Sequence, residues 1–270
     1  MHRFFPTIIA PLLEKIDPKT VIEIGCADGA HTRLLLDDCK KRHAVLHAVD
    51  PEPTFDVDDL AKKNPGSFVF HRMMSIDALQ VLPKADVVLI DGDHNYFTVS
   101  HELAILCADP ATMPVILLHD VGWPYGRRDM YHDPSRIPPQ GLQHYKKKGL
   151  LVDGTGIAER GGGVNAETYH AEKEGGPRNG ILTAIEDVIK TVTPALRFIL
   201  VPGFHGLGIL MSRELERTSP DFWRFCSLLE TSEPIRSYIQ SLEKDRYTTR
   251  YEFEREFFLH ACARAELEKK

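Results

Sequence analysis

The chain has 270 residues, 43% of them hydrophobic and 27% charged, and its formal net charge is −6. This composition is typical of a globular protein and excludes extensive disorder, and the acidic balance argues against a nucleic-acid partner. Five scattered cysteines without a Cys-x-x-Cys pair predict reduced thiols and a cytoplasmic protein. The first residues lack the apolar core of a signal peptide, and no apolar run reaches membrane-spanning length, so we expect no membrane partner.

Short apolar runs alternate with helical segments over the first 120 residues. Runs of Val, Ile and Leu bounded by Gly or Asp are typical of strands buried on both faces of a parallel sheet. Five successive strand–helix units predict a doubly wound, mostly parallel α/β sheet. The predicted strands are 21–24, 45–49, 67–71, 87–90 and 115–118, and the predicted helices are about 32–41, 56–63, 77–82 and 98–106.

The alternation stops after residue 120. Gly, Pro, His and Arg are abundant at 121–178 and no apolar period persists, which is typical of a lid or binding loop. After a predicted helix at 181–191, apolar runs at 197–201 and 207–211 predict an antiparallel hairpin that completes a seven-stranded sheet. We therefore expect a ligand-binding domain at 1–212 with a lid insertion at 121–178, followed by a C-terminal helical extension at 213–270.

An apolar stripe at helical spacing occurs in the extension. It consists of Ile235, Ile239 and Leu242, with Tyr238 beside them. Such a stripe is more often part of a core than a seam between two copies of a chain. We expect burial in the core, with a homo-oligomer as the alternative.

A glycine turn follows the first predicted strand, in the sequence Glu23-Ile24-Gly25-Cys26-Ala27-Asp28-Gly29. Asp50 ends the second strand, where a carboxylate can accept hydrogen bonds from ribose hydroxyls. A dinucleotide motif would carry a further glycine in the middle of the turn, and the acidic Asp28 disfavours a phosphate. The turn therefore predicts a neutral or cationic nucleoside ligand, with a purely structural turn as the alternative.

Acidic and imidazole residues follow the fourth and fifth predicted strands. Asp91 and His94 come after 87–90, and His119 and Asp120 come after 115–118. Ligands of open α/β sheets bind outside the carboxyl ends of the strands, so we expect these side chains to meet there. Carboxylates beside imidazoles suit a divalent cation and a proton acceptor. The alternatives are an exposed carboxylate at Asp91, a hydrogen-bonded loop histidine at His94, and a His119 that only orients Asp120.

These motifs resemble those of the class I S-adenosylmethionine-dependent methyltransferases. Residues 23–29 are similar to their first motif, Asp50 to their ribose-binding acidic residue, and 75–77 to their adenine-pocket segment. The resemblance implies a Rossmann-like methyltransferase fold with S-adenosylmethionine as cofactor. The implied cofactor-binding positions are Glu23, Gly25, Cys26, Ala27, Gly29, Asp50, Ser75, Asp77 and Asp91.

Within this class, residues 90–94 and 118–121 are similar to the metal-dependent O-methyltransferases that act on catechols and on sugars of macrolide antibiotics. This similarity implies that Asp91, His119 and Asp120 bind a divalent metal, Mg²⁺ or Mn²⁺, and that His94 is the catalytic base. Those families carry a carboxylate where this chain has His119. Imidazole is a poorer ligand for Mg²⁺ than for Mn²⁺, Fe²⁺ or Zn²⁺, so either the metal differs or His119 stands aside.

Aromatic and basic residues follow directly after the expected metal ligands. Aromatic rings stack on sugar or aromatic rings, and Arg binds carboxylate or phosphate in a bidentate manner. We expect these residues to contact the acceptor from a lid with glycine hinges at 161–163 and 175–176. In the alternative, the aromatic rings pack the loop onto the domain and the arginines are solvated. The residues are Trp123, Tyr125, Arg127, Arg128 and Tyr131.

Together these features predict an S-adenosylmethionine-dependent, divalent-metal-assisted O-methyltransferase. Its acceptor would be a hydroxyl of a small molecule, either a sugar or a natural-product scaffold. The alternatives are an N- or carboxyl-methyltransferase of the same fold without a catalytic metal, and a non-catalytic nucleoside-binding protein. A hydroxylase is a further alternative, because a protein of this general type is associated with oxygenation in cephalosporin biosynthesis.

Overall fold

A computed structural model describes residues 1–152, 156–158, 163–192 and 196–267, with side chains described as far as residue 253. The strands are β1 (Thr20–Ile24), β2 (Val45–Val49), β3 (Phe68–His71), β4 (Val87–Ile90), β5 (Val115–His119), β6 (Met130–Tyr131), β7 (Tyr145–Lys147), β8 (Tyr169–Ala171), β9 (Leu196–Val201) and β10 (Leu207–Ser212). The helices are α1 (Ala10–Ile16), α2 (Ala30–Arg42), α3 (Val57–Lys63), α4 (Ser75–Val81), α5 (Tyr96–Leu106), α6 (Ile181–Thr191), α7 (Glu214–Thr218), α8 (Pro220–Leu228) and α9 (Glu233–Leu267).

Seven strands form the main sheet in the order β3-β2-β1-β4-β5-β10-β9. The first five are parallel, and β10 runs antiparallel to both β5 and β9. The doubly wound sheet with its antiparallel hairpin is thus confirmed, and the predicted strand bounds agree with the observed ones to within one residue. Strand order reverses between β1 and β4, which is where open α/β sheets bind ligands.

Apolar layers cover both faces of this sheet. Along β4, Val87 and Leu89 belong to one layer and Val88 and Ile90 to the other, because successive side chains of a strand point to opposite faces. Helices α1, α2 and α8 pack on the first face, and α5 and α6 pack on the second. Burial on both faces explains why β4 reads as an unbroken apolar run.

The segment after β5 forms a second, three-stranded antiparallel sheet in the order β6-β8-β7. Asp129 ties it to the main domain: its Oδ1 accepts hydrogen bonds from the backbone N–H groups of Tyr96 and Gly180, both at 2.7 Å, and its Oδ2 accepts one from the Tyr131 hydroxyl at 2.9 Å. The insertion therefore packs against the starts of α5 and α6. Of the hinge expected at 161–163, residues 161 and 162 lie outside the described residues.

Helix α9 spans 35 residues and packs against the turn between β9 and β10. The expected burial of its apolar stripe is wrong for Ile235, Tyr238 and Leu242, which are 51%, 62% and 49% exposed. The helix faces the domain through a neighbouring side, where Tyr247 is buried. Within the described ranges, no helix is both long and apolar enough to span a bilayer.

Candidate active site

The turn after β1 brings the two central strands of the sheet together. Gly25 has φ +85°, and a Cβ atom there would lie 2.3 Å from the carbonyl oxygen of Asp91. Only glycine is compatible with this contact. Gly25 therefore allows the turn to approach the loop after β4 closely. As a result, the turn lies directly beside Asp91.

A cavity of about 360 Å³ opens at this reversal of strand order. Its volume falls in the usual range for small-molecule sites. Four expected cofactor-binding residues do not line it: Glu23, Cys26, Gly29 and Asp77. The expected residues that do line it are Gly25, Ala27, Asp50, Ser75 and Asp91.

Two of the residues that do not line the cavity lie in the glycine turn or directly before it. Glu23 is buried and lies 2.8 Å from the ring Nδ1 of His31, at the start of α2. The Cys26 thiol is buried in the core, and the backbone N–H of Cys26 donates to Asp50. Their contribution in this structure is to the shape of the turn.

Asp50 connects the end of β2 to the turn. Its Oδ2 accepts hydrogen bonds from the backbone N–H groups of Cys26 and Ala27 at 2.8 and 3.1 Å, and its Oδ1 accepts one from Glu52 at 2.8 Å. A carboxylate has about four lone-pair sites, so this one retains capacity for a ligand hydroxyl.

Sequence reasoning missed the residues that enclose the mouth of this cavity. His132, Asp133 and Arg136 reach it from the insertion. Arg136 forms an ion pair with Glu52 across the mouth and lies 3.7 Å from the sulfur of Met74. No sequence signal could have found this pair, because its members are 84 positions apart and follow no periodic pattern.

Asp91, His94 and Asp120 converge at the carboxyl ends of β4 and β5, as the strand order requires. One ligand atom from each lies within 4.8 Å of the others. Asp120 has φ +60°, a left-handed conformation that costs a non-glycine residue about 1–3 kcal/mol.

His119 lies between the two carboxylates. Its Nδ1 is 2.9 Å from Asp91 Oδ1 and 3.0 Å from Asp120 Oδ2, and its Nε2 is 3.0 Å from the carbonyl oxygen of Phe204. A carbonyl oxygen can only accept, so Nε2 carries a proton, and the two carboxylates favour a second proton on Nδ1. Burial by itself would lower the pKa of His119, but Asp120 and Asp91 raise it to about 10. These contacts favour the imidazolium form of His119, which has no lone pair for a metal.

The same contacts act on the carboxylates. Burial alone would raise the pKa values of Asp91 and Asp120, whereas the positive charge of His119 holds both below their ordinary range. The backbone nitrogen of Met1 also lies 2.8 Å from Asp91 Oδ2. These contacts favour the ionised form of both carboxylates, in which they pair with His119 and, for Asp91, with the nitrogen of Met1.

His94 faces this cluster from the loop after β4. Its Nδ1 lies 3.4 Å from Asp120 Oδ2, and its ring stacks on Tyr125 with centroids 5.3 Å apart. Its carbonyl oxygen accepts a hydrogen bond from the backbone N–H of Met130 in the insertion. The insertion thus fixes the orientation of the expected base.

A second cavity, of about 400 Å³, lies between the loop after β5, the β9–β10 turn and α9. Its walls are largely apolar and include Trp123, Leu200 and Tyr247. His205 lies at the boundary between this cavity and the acidic cluster, since it lines the cavity and its Nδ1 is 3.5 Å from Asp120 Oδ1. The contribution of α9 to this site could not be predicted from the sequence, because Tyr247 lies far along the chain from the motifs.

The expected acceptor residues are divided between this cavity and the protein interior. Trp123 and Arg127 line the cavity, although Arg127 also forms a bidentate ion pair with Glu186. The other three, Tyr125, Arg128 and Tyr131, are buried. Tyr125 packs between His94 and His170, Arg128 donates to the carbonyl oxygen of Ala171, and Tyr131 donates to Asp129. They hold the insertion together, because its small sheet needs a core of its own.

Glu102 of α5 gives a pH-dependent prediction. It is fully buried near Ser75, and burial raises its pKa from 4.5 to about 8. When a carboxyl group has a higher pKa in the folded than in the unfolded state, the folded protein loses stability as the pH rises from the unfolded-state pKa to the folded-state pKa. We expect Glu102→Gln to increase the free energy of unfolding relative to wild type, with a gain that grows by roughly 4 kcal/mol between pH 4.5 and 8.

Urea unfolding across that pH range measures this difference. Glu167→Gln is the matched control, because Glu167 is exposed and its substitution should change nothing. A pH-independent difference between Glu102→Gln and wild type would show that Glu102 is ionised at neutral pH.

Comparison with known proteins adds to this geometry. Residues 22–121 match the sequence model of a family described as a methyltransferase domain. This span contains the glycine turn, Asp50 and the whole acidic and imidazole cluster. A search of curated proteins found no match.

Several solved structures are similar to the chain. PaMTH1, a methyltransferase of Podospora anserina bound to SAH, is 12% identical over 76% of each chain, with a TM-score of 0.43. The O-methyltransferase TomG of Streptomyces achromogenes, in complex with SAM, is 11% identical over 76% of this chain and 77% of its own, also with a TM-score of 0.43. Residues 22–121, which include β2 to β5 of the doubly wound sheet, are thus similar to a methyltransferase domain.

Proposed function

We propose that this enzyme transfers the methyl group of S-adenosylmethionine to a hydroxyl oxygen of a small molecule, assisted by a divalent cation. The supporting observation is the convergence of Asp91, His94 and Asp120 within 4.8 Å at the sheet edge. The cavity beside Gly25 would hold the cofactor, and the cavity lined by Trp123 the acceptor. Two carboxylates with an imidazole suit Mn²⁺ better than Mg²⁺.

Methyl transfer requires a nucleophilic oxygen in line with the sulfonium carbon. A divalent cation lowers the pKa of a hydroxyl that it coordinates, and this is the chemistry that the metal would supply. Asp91 and Asp120 would hold the ion. The Nδ1 of His94 faces Asp120, which leaves Nε2 as the nitrogen that accepts the hydroxyl proton.

His119 supports a second candidate, methyl transfer without a metal. Its imidazolium lies between Asp91 and Asp120, and it supplies positive charge at the position that a cation would occupy. For a metal to bind there, His119 must lose its Nδ1 proton or turn aside. A metal-free site would also suit a nitrogen or carboxylate acceptor, because neither needs an activated hydroxyl.

Two observations support the further assignments. The apolar walls of the acceptor cavity favour a natural-product scaffold with apolar rings over a bare sugar. The exposed apolar side chains of α9 are available for contact with a second copy of the chain. We also propose a cytoplasmic location, since Cys26, Cys39, Cys107 and Cys226 are all free thiols.

Chelation tests the proposed function and separates the two candidates. The full chain is incubated with S-adenosylmethionine and a panel of hydroxylated acceptors, and formation of the demethylated cofactor is measured. We expect EDTA to abolish turnover and Mn²⁺ or Mg²⁺ to restore it. Full turnover in EDTA would contradict the metal-assisted mechanism and favour the metal-free candidate.

Replacing Asp50 tests the cofactor site. We expect Asp50→Ala to weaken S-adenosylmethionine binding at least about tenfold by calorimetry, because it removes a charged hydrogen-bond acceptor and three backbone contacts of the turn. Asp58→Ala, at an exposed position of α3, is the control. Unchanged affinity in Asp50→Ala would overturn the assignment of the ribose position.

A further inference from the structure

A third cavity lies on the other side of the acidic cluster. It has a volume of about 220 Å³ and is formed by residues 1–4, the β9–β10 turn and α9. Three arginines line it, Arg3, Arg246 and Arg250, and no carboxylate is among its lining residues, all of which lie in the described part of the chain. His119 and His205 form its inner end. We refer to it as the arginine cleft.

Phe204 holds two of these arginines in place. The guanidinium carbon of Arg3 lies 4.7 Å from the centroid of the Phe204 ring, and that of Arg246 lies 5.4 Å from it. A guanidinium stacked on an aromatic face keeps its N–H groups available as donors in its own plane. Arg3 and Arg246 therefore present donors whose orientation is set by the Phe204 ring.

The turn that carries Phe204 is itself constrained. Phe204 and His205 are consecutive non-glycine residues with φ +45° and +71°, and each costs about 1–3 kcal/mol in that conformation. The carbonyl oxygen of Phe204 contacts His119, and the hydroxyl of Tyr247 contacts the ring of His205. These contacts couple the strained turn to both the cleft and the acidic cluster.

The charges in the cleft are only partly compensated. Arg246 forms an ion pair with Glu243, at 2.8 Å. Arg3 forms no ion pair with the part of the chain that the structure describes. Arg3 therefore brings a positive charge to the cleft that no ion pair balances within the described residues, and a bound anion would neutralise it.

We propose that the arginine cleft binds an oxyanion group of the acceptor, a carboxylate or a phosphate, so that the substrates are hydroxylated acids. This proposal rests on the proposed function, because it places the acceptor hydroxyl at Asp120. His205 lines both the arginine cleft and the apolar acceptor cavity. The proposal places the apolar body of the acceptor in that cavity and its oxyanion in the cleft, on the two sides of His205. Arginine is the side chain best suited to bidentate binding of either oxyanion.

Matched small probes test this proposal without turnover. Benzoate and phenyl phosphate carry the two oxyanions, and benzyl alcohol is their neutral counterpart. Their binding to the full chain saturated with S-adenosylhomocysteine is measured by calorimetry. We expect at least one anionic probe to bind wild type more tightly than benzyl alcohol, and the tighter of the two identifies the oxyanion.

The variant Arg3→Gln/Arg250→Gln should bind that probe at least about tenfold more weakly, because charge-assisted hydrogen bonds are lost. Arg3→Gln alone, at an exposed position, should show a smaller loss and serves if the double variant does not fold. Arg236→Gln, on the same helix but outside the cleft, is the control. Binding of benzyl alcohol should be the same in wild type and in all three variants.

Three results would overturn the proposal. They are equal binding of the anionic and neutral probes to wild type, no binding of either anion, and unchanged anion binding in the arginine variants. Weaker binding of S-adenosylhomocysteine to these variants would also overturn it, because the cleft would then serve the carboxylate of the cofactor. Failure of wild type to bind S-adenosylhomocysteine would instead contradict the proposed function, and the anion result would stand separately.

Discussion

Replacing Asp120 with Asn is expected to lower kcat for methyl transfer by about 10²–10³-fold, the size of effect seen when one preorganised electrostatic group is removed from an active site. The carboxylate contacts His94, His119 and His205, so its loss affects the metal, the base and the turn together. Asn has the same shape and tolerates the left-handed φ of +60°. The substitution therefore removes charge without adding backbone strain.

Steady-state kinetics and thermal unfolding of Asp120→Asn measure these two effects separately. The control is Asp37→Asn, at an exposed position of α2, and it should match wild type in both. A melting temperature close to that of wild type with a large loss of kcat is the expected result. Turnover of Asp120→Asn within about twofold of wild type would remove Asp120 from the chemistry.

Replacing His94 with Gln should lower kcat by about 10²-fold or more and leave the affinity for the cofactor unchanged. A general base contributes about 10²–10⁴-fold, and Gln cannot accept the proton. The stacking of His94 on Tyr125 supports the packing of the insertion, so a Gln of similar length is a milder change than Ala.

The same variant separates two roles that the structure allows for His94. As a base, His94 affects kcat alone, and the concentration of Mn²⁺ needed for half-maximal activity stays as in wild type. As a metal ligand in the cluster with Asp91 and Asp120, it affects that concentration as well. Near wild-type turnover would make His94 a structural loop histidine.

The main sheet could be predicted because its strands are buried on both faces. Such strands appear as short apolar runs, and β2 and β4 have the predicted bounds. The meeting of Asp91 with Asp120 followed from the rule that parallel strands present their carboxyl ends at one edge. Periodicity and topology therefore sufficed for the fold and for the convergence of Asp91 with Asp120.

The internal structure of the insertion could not be predicted, because polar contacts between distant residues organise it. Its strands have only two or three residues, and the buried carboxylate of Asp129 holds it in place. Hydrogen bonds between distant positions leave no periodic pattern in a sequence. For this reason the sequence predicts Arg128 and Tyr131 as acceptor contacts, although both are buried in the insertion.

The role of His119 also depends on contacts that the sequence does not contain. Its position at the end of β5 could be predicted, but its charge follows from two carboxylates and from the carbonyl oxygen of Phe204, 85 positions away. The predicted burial of the apolar stripe on α9 was wrong for a related reason. Helical spacing identifies an apolar face, but only the three-dimensional structure shows that the helix packs through Tyr247 instead.

Titration of the full chain with Mn²⁺, followed by electron paramagnetic resonance, tests the central claim most directly, because it requires neither the acceptor nor turnover. The proposal predicts one bound Mn²⁺ per chain in wild type and at least about tenfold weaker binding in both Asp91→Asn and Asp120→Asn. Asp37→Asn should bind as wild type does. Absence of a bound ion in wild type would contradict a metal site at Asp91 and Asp120. So would Mn²⁺ binding in Asp91→Asn and Asp120→Asn that is as tight as in wild type.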